Sequence, residues 1–508
     1  MRRPGVLIAL TLLPVGGCTG GSAPTVAATS ASPVVVGSAV SPSASAFPVQ
    51  VRTVDAGGDV LTMSVGPLVR SGDAVVLTVQ TRLERAAGGG GSVMVSRHFS
   101  AALATSFDAA RLVDEAGRRV YPVAEGRDGC VCTGLLRIEA GETQPLQAAF
   151  TGVPATVDRL SVMLPHAGVF TDVPVVVGTV PAPPSGRDAL GRAQRPLDLD
   201  AAGPSLAAGL DAYTERLDVA LRTRRTAETV DISLDTDVLF RVDSAQLTPT
   251  AARTVAAAVD ELRAAGAGPL TVTGHTDDTG TAAHNQALSQ RRARAVADAL
   301  RGPLPEASWP KTVAAKGETQ PAVPNDSAGN RALNRRVTIS FPARDRPAAA
   351  PPEAALPKTR GVQGTAPDGV EVALPLNRGV IRFVPGAATL RGPFLLVNLV
   401  ARNVGEGKAT IHDLLGQGVF TVRDEFDPFA RYGAAGVRLL QGDTASYGLD
   451  YEVAPGDHRC LCDRLLNQAI PPGSERVLAL WFPAPPAGTR TITVDVPDKL
   501  RITNIPVG

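Results

Sequence analysis

Two stretches of the chain alternate apolar and polar positions with a period of two, which is typical of β-strands. The alternation centres on three apolar residues in each stretch: Val75, Leu77 and Val79, and then Leu395, Val397 and Leu399. Turns rich in glycine and proline separate such runs, and signals for helices are few. The pattern predicts one all-β sandwich at 48–180 and a second at 360–508.

The two β-rich stretches are also copies of one another. Residues 170–175 correspond to 502–507, and the correspondence runs back without a gap to Gly141 and Gly473. Farther upstream, the Cys-x-Cys motif at 130–132 parallels the one at 460–462. The repeat indicates shared ancestry, and both copies resemble the immunoglobulin-like modules that are common on exported proteins.

The middle of the chain mixes strand and helix patterns. A strand is expected at 230–240, after which Thr248 and Pro249 supply a helix start. Val255, Val259 and Leu262 then recur at the spacing of one helical face. Further strands are expected at 270–273, 312–314 and 334–341, with a second helix between the first two. This order predicts an α+β domain at 229–343.

The first residues have the features of an export signal. Arg2 and Arg3 precede an apolar run at 6–13 that is too short to span a bilayer. Small residues then lead to Cys18, an arrangement that resembles the lipobox of bacterial lipoproteins. We expect a signal peptide at 1–17 and lipidation of Cys18, which would be the chain's only membrane anchor. The alternative is an ordinary secretory signal with a chance cysteine.

Three low-complexity segments separate these parts. Residues 18–47 lack the large apolar side chains that offset ordering entropy, so we expect a disordered tether. Residues 181–228 form a second linker, in which a helix could lie, and 344–359 form a proline- and alanine-rich third.

Charge and cysteine content narrow the chemistry. The formal net charge of +1 gives no reason to expect nucleic acid as a partner. Export implies oxidised cysteines, and the duplicated motif favours one local disulfide in each copy, Cys130–Cys132 and Cys460–Cys462. A bridge between the two copies, or a redox or metal site, remains open. A metal is disfavoured because no histidine recurs beside both motifs, and no cofactor is implied.

The middle domain carries a succession of motifs in fixed order. They are Phe-x-x-x-Ser-x-x-Leu from Phe240, Gly-His-Thr-Asp-x-x-Gly from Gly274, Asn-x-x-Leu-Ser-x-x-Arg-Ala from Asn285, Gly-Glu-x-x-Pro from Gly317 and Asn-Arg-Arg-Val from Asn334. This succession resembles the OmpA C-terminal family, which includes Pal lipoproteins and the wall-binding part of MotB. The resemblance implies a mixed sheet with helices on one face, flanked here by the two homologous sandwiches.

The resemblance also implies a ligand, the diaminopimelate of the peptidoglycan stem peptide. Its free end carries an ammonium and a carboxylate on one carbon. By resemblance, Asp277 binds the ammonium and Arg292 forks onto the carboxylate. In the empty site these two side chains could pair with each other. The remaining positions that the resemblance assigns to the ligand groove are Asp243, Thr276, Asn285 and Asn334.

Arg335 and Arg336 follow the last of these positions. Because neighbours on a strand point to opposite sides, we expect one to face the ligand and one to face solvent, and we assign Arg335 to the ligand.

The sequence contains no recognisable catalytic set. Paired-carboxylate, zinc and nucleophile motifs are absent, and the six histidines are scattered. We therefore expect a surface lipoprotein and not an enzyme. We expect Cys18 to anchor it to the outer face of the cell membrane or to an outer membrane, and its middle domain to bind peptidoglycan. The alternative is an envelope scaffold or sensor whose β-sandwiches bind a protein or carbohydrate partner.

Overall fold

The computed structural model describes residues 49–100, 106–188, 191–204, 206–218, 221–344, 355–374, 379–416, 418–422, 433–454, 457–463 and 469–508. The expected signal peptide, the expected lipidation site Cys18 and the expected tether at 18–47 lie outside these residues, as do residues 345–354 of the third linker. No helix in the described ranges combines the length and the apolar character needed to cross a bilayer.

The first β-rich stretch forms short strands in which buried and partly buried positions alternate, as they do throughout Asp59–Val65. Most of them join one sheet in the order β1-β2-β4-β3-β13-β12-β6-β7, with β11 added at β4. The strands are β1 Gln50–Ala56, β2 Asp59–Val65, β3 Leu68–Ser71, β4 Ala74–Arg85, β5 Ser92–Met94, β6 Arg111–Asp114, β7 Arg119–Pro122, β8 Glu125–Gly126, β9 Gly129–Cys130, β10 Arg137–Glu139, β11 Thr143–Thr151, β12 Arg159–Leu164 and β13 Gly168–Val177, with 3-10 turns at Ala87–Gly89 and Val95–Phe99.

The middle of the chain forms the expected α+β arrangement. Its elements are β14 Ala208–Gly209, β15 Ala212–Arg216, β16 Leu221–Arg225, β17 Thr229–Asp235, α1 Thr236–Leu239, α2 Ala251–Ala265, β18 Leu270–His275, α3 Ala282–Arg301, β19 Lys311–Gly317, α4 Ala328–Asn334 and β20 Arg336–Pro342. Helices α2 and α3 share one apolar core with β17, β18 and β20. The strand expected at 230–240 ends at Asp235, because the Asp235 carboxylate accepts the Asp237 amide at 2.8 Å and caps α1.

The second β-rich stretch is again mostly strand. Its elements are β21 Val362–Thr365, β22 Val370–Leu374, β23 Gly379–Arg391, β24 Phe394–Asn403, α5 His412–Leu415, α6 Val419–Val422, β25 Arg438–Gln441, β26 Thr444–Tyr447, β27 Asp450–Ala454, β28 Asp457–Cys460, β29 Glu475–Pro483, β30 Thr491–Val496 and β31 Leu500–Pro506. The described chain is thus mostly β with few helices.

One sheet connects the middle domain to the second β-rich stretch. Its order is β19-β18-β20-β17-β16-β15-β26-β25-β30-β31-β21. Strands β15 and β16 come from the segment expected as a linker, and its described residues contain strands in place of the suggested helix. The possible helix does not occur in the described residues of this segment, because β16 pairs with β17 over five residue pairs and Leu221 is buried in the middle domain's core.

The two Cys-x-Cys motifs occupy matching places in their copies. The backbone of Cys132 forms an isolated antiparallel β-bridge with Ala148 on β11, and that of Cys462 forms one with Leu480 on β29. Within each motif the two Sγ atoms lie at bonding distance, 1.97 Å in the first copy and 2.19 Å in the second. The residue between the cysteines is buried in both, as Val131 and as Leu461.

The two β-rich stretches pack against each other. Their shared apolar cluster contains Met163 and Val169 from the first stretch, Leu210 from the connecting segment, and Leu461 and Trp481 from the second. Trp481 and Leu461 are at most 1% exposed. The described residues accordingly belong to one compact unit.

Candidate functional site

The site is built around the loop that follows β18. This loop begins at Thr276 and leads into α3, whose first turn is capped by the Thr281 hydroxyl, which accepts the His284 amide at 3.3 Å. The Asp277 carboxylate accepts the Thr279 amide at 3.0 Å through Oδ1, which fixes the acid in the loop.

A glycine brings α3 close to the sheet. A Cβ atom at Gly274 would lie 2.1 Å from the carbonyl oxygen of Ser289, so no larger residue fits at the present spacing. The Ser289 hydroxyl also accepts the Gly317 amide at 3.1 Å and thereby ties β19 to the same helix. Because of this contact, the inward face of α3, with Asn285 and Arg292, lies against the strand ends.

Asp277 is held by Arg335. Arg335 Nη1 donates to Asp277 Oδ2 at 2.7 Å. Burial of the Asp277 carboxyl favours its protonated form, but the hydrogen bonds from Arg335 and the Thr279 amide outweigh burial and keep its pKa below the usual value. Asp277 is therefore an ionised carboxylate at neutral pH.

Arg335 is held in turn by a second acid, Asp237 on α1. Arg335 Nε and Nη2 donate to the two oxygens of Asp237 at 2.9 and 2.6 Å. These two parallel bonds, followed by the bond to Asp277, raise the pKa of Arg335 above its usual value. Arg335 thus bridges two carboxylates.

Arg292 is buried but only partly engaged. Its Nε donates to the Ser244 carbonyl at 2.9 Å, and its guanidinium lies 5.4 Å from the centre of the Phe240 ring. Within the described ranges its Nη atoms make no hydrogen bond or ion pair. Burial lowers the pKa of Arg292, while attraction from Asp237, Asp243 and Asp277 opposes this shift. A buried guanidinium whose terminal nitrogens have no partner can bind a carboxylate by donating hydrogen bonds to it.

The direct pairing of Asp277 with Arg292 that the sequence suggested for the empty site is wrong. Asp277 pairs with Arg335, and no ion pair between Asp277 and Arg292 occurs in this described region. The reason is geometric: the turn from α4 into β20 places Arg335 beside the loop, while α3 directs the Arg292 Nε toward Ser244.

Three other assigned residues lie around this centre. Asp243 is exposed and has a φ of 55°, and its Oδ1 forms a hydrogen bond with His284 Nε2 at 2.7 Å. Thr276 is buried, and its hydroxyl has no hydrogen-bond partner among the described atoms. Asn285 is buried and donates to the Asp277 carbonyl at 3.3 Å and to Glu318 Oε2 at 2.6 Å.

Asn334 organises a loop. Its Oδ1 accepts the Ala322 and Val323 amides at 2.8 and 3.1 Å, and its Nδ2 donates to the Val323 carbonyl and to Asn325 Oδ1, both at 2.8 Å. All of its hydrogen-bonding capacity is used within the protein, so its contribution to the groove is to shape residues 322–325.

The expectation that Arg336, the neighbour of Arg335, faces solvent is wrong. It is partly buried, donates to the Asn334 and Gln320 carbonyls at 3.4 and 3.3 Å, and burial lowers its pKa to about 10.

Sequence reasoning missed Asp237 and Glu318. The sequence signal for Asp237 was the Asp-Thr-Asp run at 235–237. The structure shows why it matters: Asp235 lies directly opposite Arg336 on β20, so the acidic run lies beside the Asn-Arg-Arg motif. No group of three or more His, Cys, Asp or Glu side chains in the described part of the chain is placed to hold a metal ion.

Comparisons with known proteins agree on one part of the chain. The model of the OmpA family matches residues 239–335. Outer membrane porin F from Pseudomonas aeruginosa is 36% identical over 111 residues, which are 22% of this chain and 31% of that protein. Outer-membrane lipoprotein YfiB from the same organism is 33% identical over 116 residues, which are 22% of this chain and 67% of YfiB.

A solved structure is also similar to part of the chain. It is titled the cell wall anchor of the T6SS from Pseudomonas aeruginosa, with 31% identity, coverage of 24% of this chain and 88% of that chain, and a TM-score of 0.23. The chain spans about a third of the length of the porin F relatives that it matches, 31% in one and 34% in another.

Proposed function

This chain belongs to the OmpA family through residues 239–335, and we propose that this part binds peptidoglycan non-covalently at the diaminopimelate of the stem peptide. The observation that carries the proposal is the pair of charges in the site. Arg292 has open terminal nitrogens, and Asp277 is an ionised carboxylate close enough to affect the Arg292 pKa. A ligand with an ammonium and a carboxylate on one carbon complements both.

The ligand's carboxylate binds the Arg292 guanidinium through its Nη atoms. Its ammonium binds Asp277 through lone pairs that Arg335 and the Thr279 amide leave free, since each carboxylate oxygen can accept two hydrogen bonds. Asn285 supports the loop by holding the Asp277 carbonyl. This is recognition and not catalysis, because each group stabilises a charge that the ligand already carries.

The rest of the chain places this domain in the envelope. Lipidation at Cys18 anchors the protein to the outer face of the cell membrane or to an outer membrane, and 18–47 tethers it toward the wall. The flanking stretches are homologous immunoglobulin-like modules, each closed locally by a disulfide between its two motif cysteines. These modules carry the binding domain and could present a surface to an envelope protein.

The test is co-sedimentation of the detergent-solubilised full chain with purified sacculi that contain diaminopimelate. Wild type is expected to sediment with sacculi, and Asp277→Asn and Arg292→Met are each expected to bind at least about tenfold more weakly, because each removes a charge-assisted hydrogen bond. Asp298→Asn and Arg291→Ala change the same charges at exposed positions of α3 and should bind like wild type. Full binding by both site variants would sink the assignment.

A further inference from the structure

Asp237 stands outside the segment that the OmpA family model matches, which begins at residue 239. It lies on the single turn α1, two residues after the capping residue Asp235. The turn packs beside β17 at the edge of the site. Asp237 therefore lies outside the five sequence motifs, which begin at Phe240, and the fold brings it to the site.

Asp237 lies at the mouth of the site and Asp277 lies deeper. The Asp237 side chain is 50% exposed, Arg335 is 27% exposed and Asp277 is 10% exposed. The order of contacts follows the same direction, from Asp237 through Arg335 to Asp277.

Asp237 acts on both cations of the site. It makes the largest contribution to the raised pKa of Arg335, and it is the first of the acids that attract Arg292. An isolated surface ion pair contributes little, but this pair is two-pronged and is joined to a third, buried charge, which is the geometry in which an arginine is held in one orientation.

We propose that Asp237 is a positioning residue that determines which ligands the site accepts. This inference rests on the proposed binding of diaminopimelate. Arg335 donates through Nε and Nη2 to Asp237 and through Nη1 to Asp277. Because carboxylates of the protein already hold all three nitrogens, Arg335 does not compete with Arg292 for the ligand's carboxylate. Arg292 is left to bind that carboxylate, and Asp277 keeps its place to bind the ammonium. The ligand then has a single orientation.

Asp237→Asn removes the charge and one of the two acceptor oxygens that Arg335 binds, which frees one donor on Arg335. Arg335 then offers a second anion site at the mouth, next to Arg292. Ligands that carry a carboxylate but no ammonium gain from this change, while diaminopimelate loses the fixed Asp277. The ratio of affinities therefore reports on the role of Asp237 in a way that a general loss of stability does not.

The experiment is calorimetric titration of the full chain with two stem-peptide fragments. One carries diaminopimelate with its free end, and the other carries 2-aminopimelate at the same position, which keeps the peptide-linked amine and the end carboxylate but lacks the end ammonium. For wild type we expect clear preference for the first. For Asp237→Asn we expect that preference to fall by about tenfold, the worth of one charge-assisted contact. Asp237→Glu restores most of it, because the two-pronged bond can reform.

A matched control and a double variant separate this role from alternatives. Asp298→Asn removes an equally exposed carboxylate, 52% exposed and paired with Arg301, and should keep the wild-type ratio. In an Arg335→Met background, Asp237→Asn should change the ratio no further, because Asp237 acts through Arg335.

The outcomes distinguish the two proposals. If wild type binds neither fragment, the proposed function and this inference fail together. If wild type prefers diaminopimelate and Asp237→Asn keeps the same ratio, or loses both ligands equally, only the inference is overturned. A changed ratio that disappears in the Arg335→Met background supports it.

Discussion

His275 links the stability of the site loop to pH. Its ring is 5% exposed, and burial together with the cations Arg336 and Lys316 lowers its pKa to about 3, although a hydrogen bond with the Gln320 backbone opposes the shift. In the unfolded chain the pKa is about 6.5. Between these values only the unfolded chain binds the proton, so the stabilisation is complete above pH ~6.5 and is lost as pH falls toward 3.

His275→Gln removes this proton linkage. Urea unfolding at a series of pH values should show that the free energy of unfolding of wild type falls between pH 6 and 4 more steeply than that of the variant, by about 1.4 kcal/mol per pH unit. The lowered pKa of Asp277 also destabilises the protein at acid pH, but only below its ordinary range. Equal slopes in the two proteins would show that the pKa of His275 is the same in the folded and unfolded chains, which contradicts the lowered value.

At the residue scale, the sequence motifs identified the charges of the site but not their pairing. Asp277 and Arg292 stand at recognisable motif positions, and Arg335 is the first arginine of its motif. The choice of Arg335 as the partner of Asp277 depends on contacts across 58 positions of sequence, and that of Arg335 with Asp237 on contacts across 98. Motif spacing carries no information about which of several opposite charges meet.

At the scale of elements, the packing of α3 on β18 places Arg292. Gly274→Ala puts a methyl group into the Ser289 carbonyl, so the helix must move outward. We expect a loss of about 2–3 kcal/mol in the free energy of unfolding, as for other overpacked contacts, together with weaker sacculus binding. Chemical denaturation and co-sedimentation measure the two effects.

Gly302→Ala is the matched control for this helix. Gly302 follows α3 with a helical φ of −63°, and a Cβ there meets nothing within 4 Å. The substitution should be neutral or stabilise by up to about 1 kcal/mol. If Gly274→Ala were equally harmless, the close approach of α3 would not be what positions the site.

The elements themselves were predictable where periodicity was strong. Helix α2 lies where its apolar spacing indicated, and strands β18 and β20 overlap the expected strands at 270–273 and 334–341. Strands β15 and β16 were not predicted because arginines fill most of β16, and these side chains are partly buried through pairing with Glu215 and Asp211. Their strand identity comes from neighbours that are distant in sequence.

At the scale of the whole molecule, the middle domain is structurally continuous with its neighbours. Its sheet continues through β16 and β15 into β26, and Leu221 of β16 belongs to its core. Cutting the chain at residue 229 would remove that strand from β17 and expose apolar surface. Binding is therefore best measured on the full chain, with the flanking stretches in place.

Recognition of the free end of diaminopimelate is the central claim for that full chain. Calorimetric titration with a stem-peptide fragment that carries diaminopimelate, and with the same fragment carrying lysine, tests it directly. Lysine keeps the ammonium that Asp277 binds but lacks the carboxylate for Arg292. The diaminopimelate fragment should bind at least about tenfold more tightly, the worth of one charge-assisted contact. Equal affinity for the two fragments, or no binding of the diaminopimelate fragment, would contradict the claim.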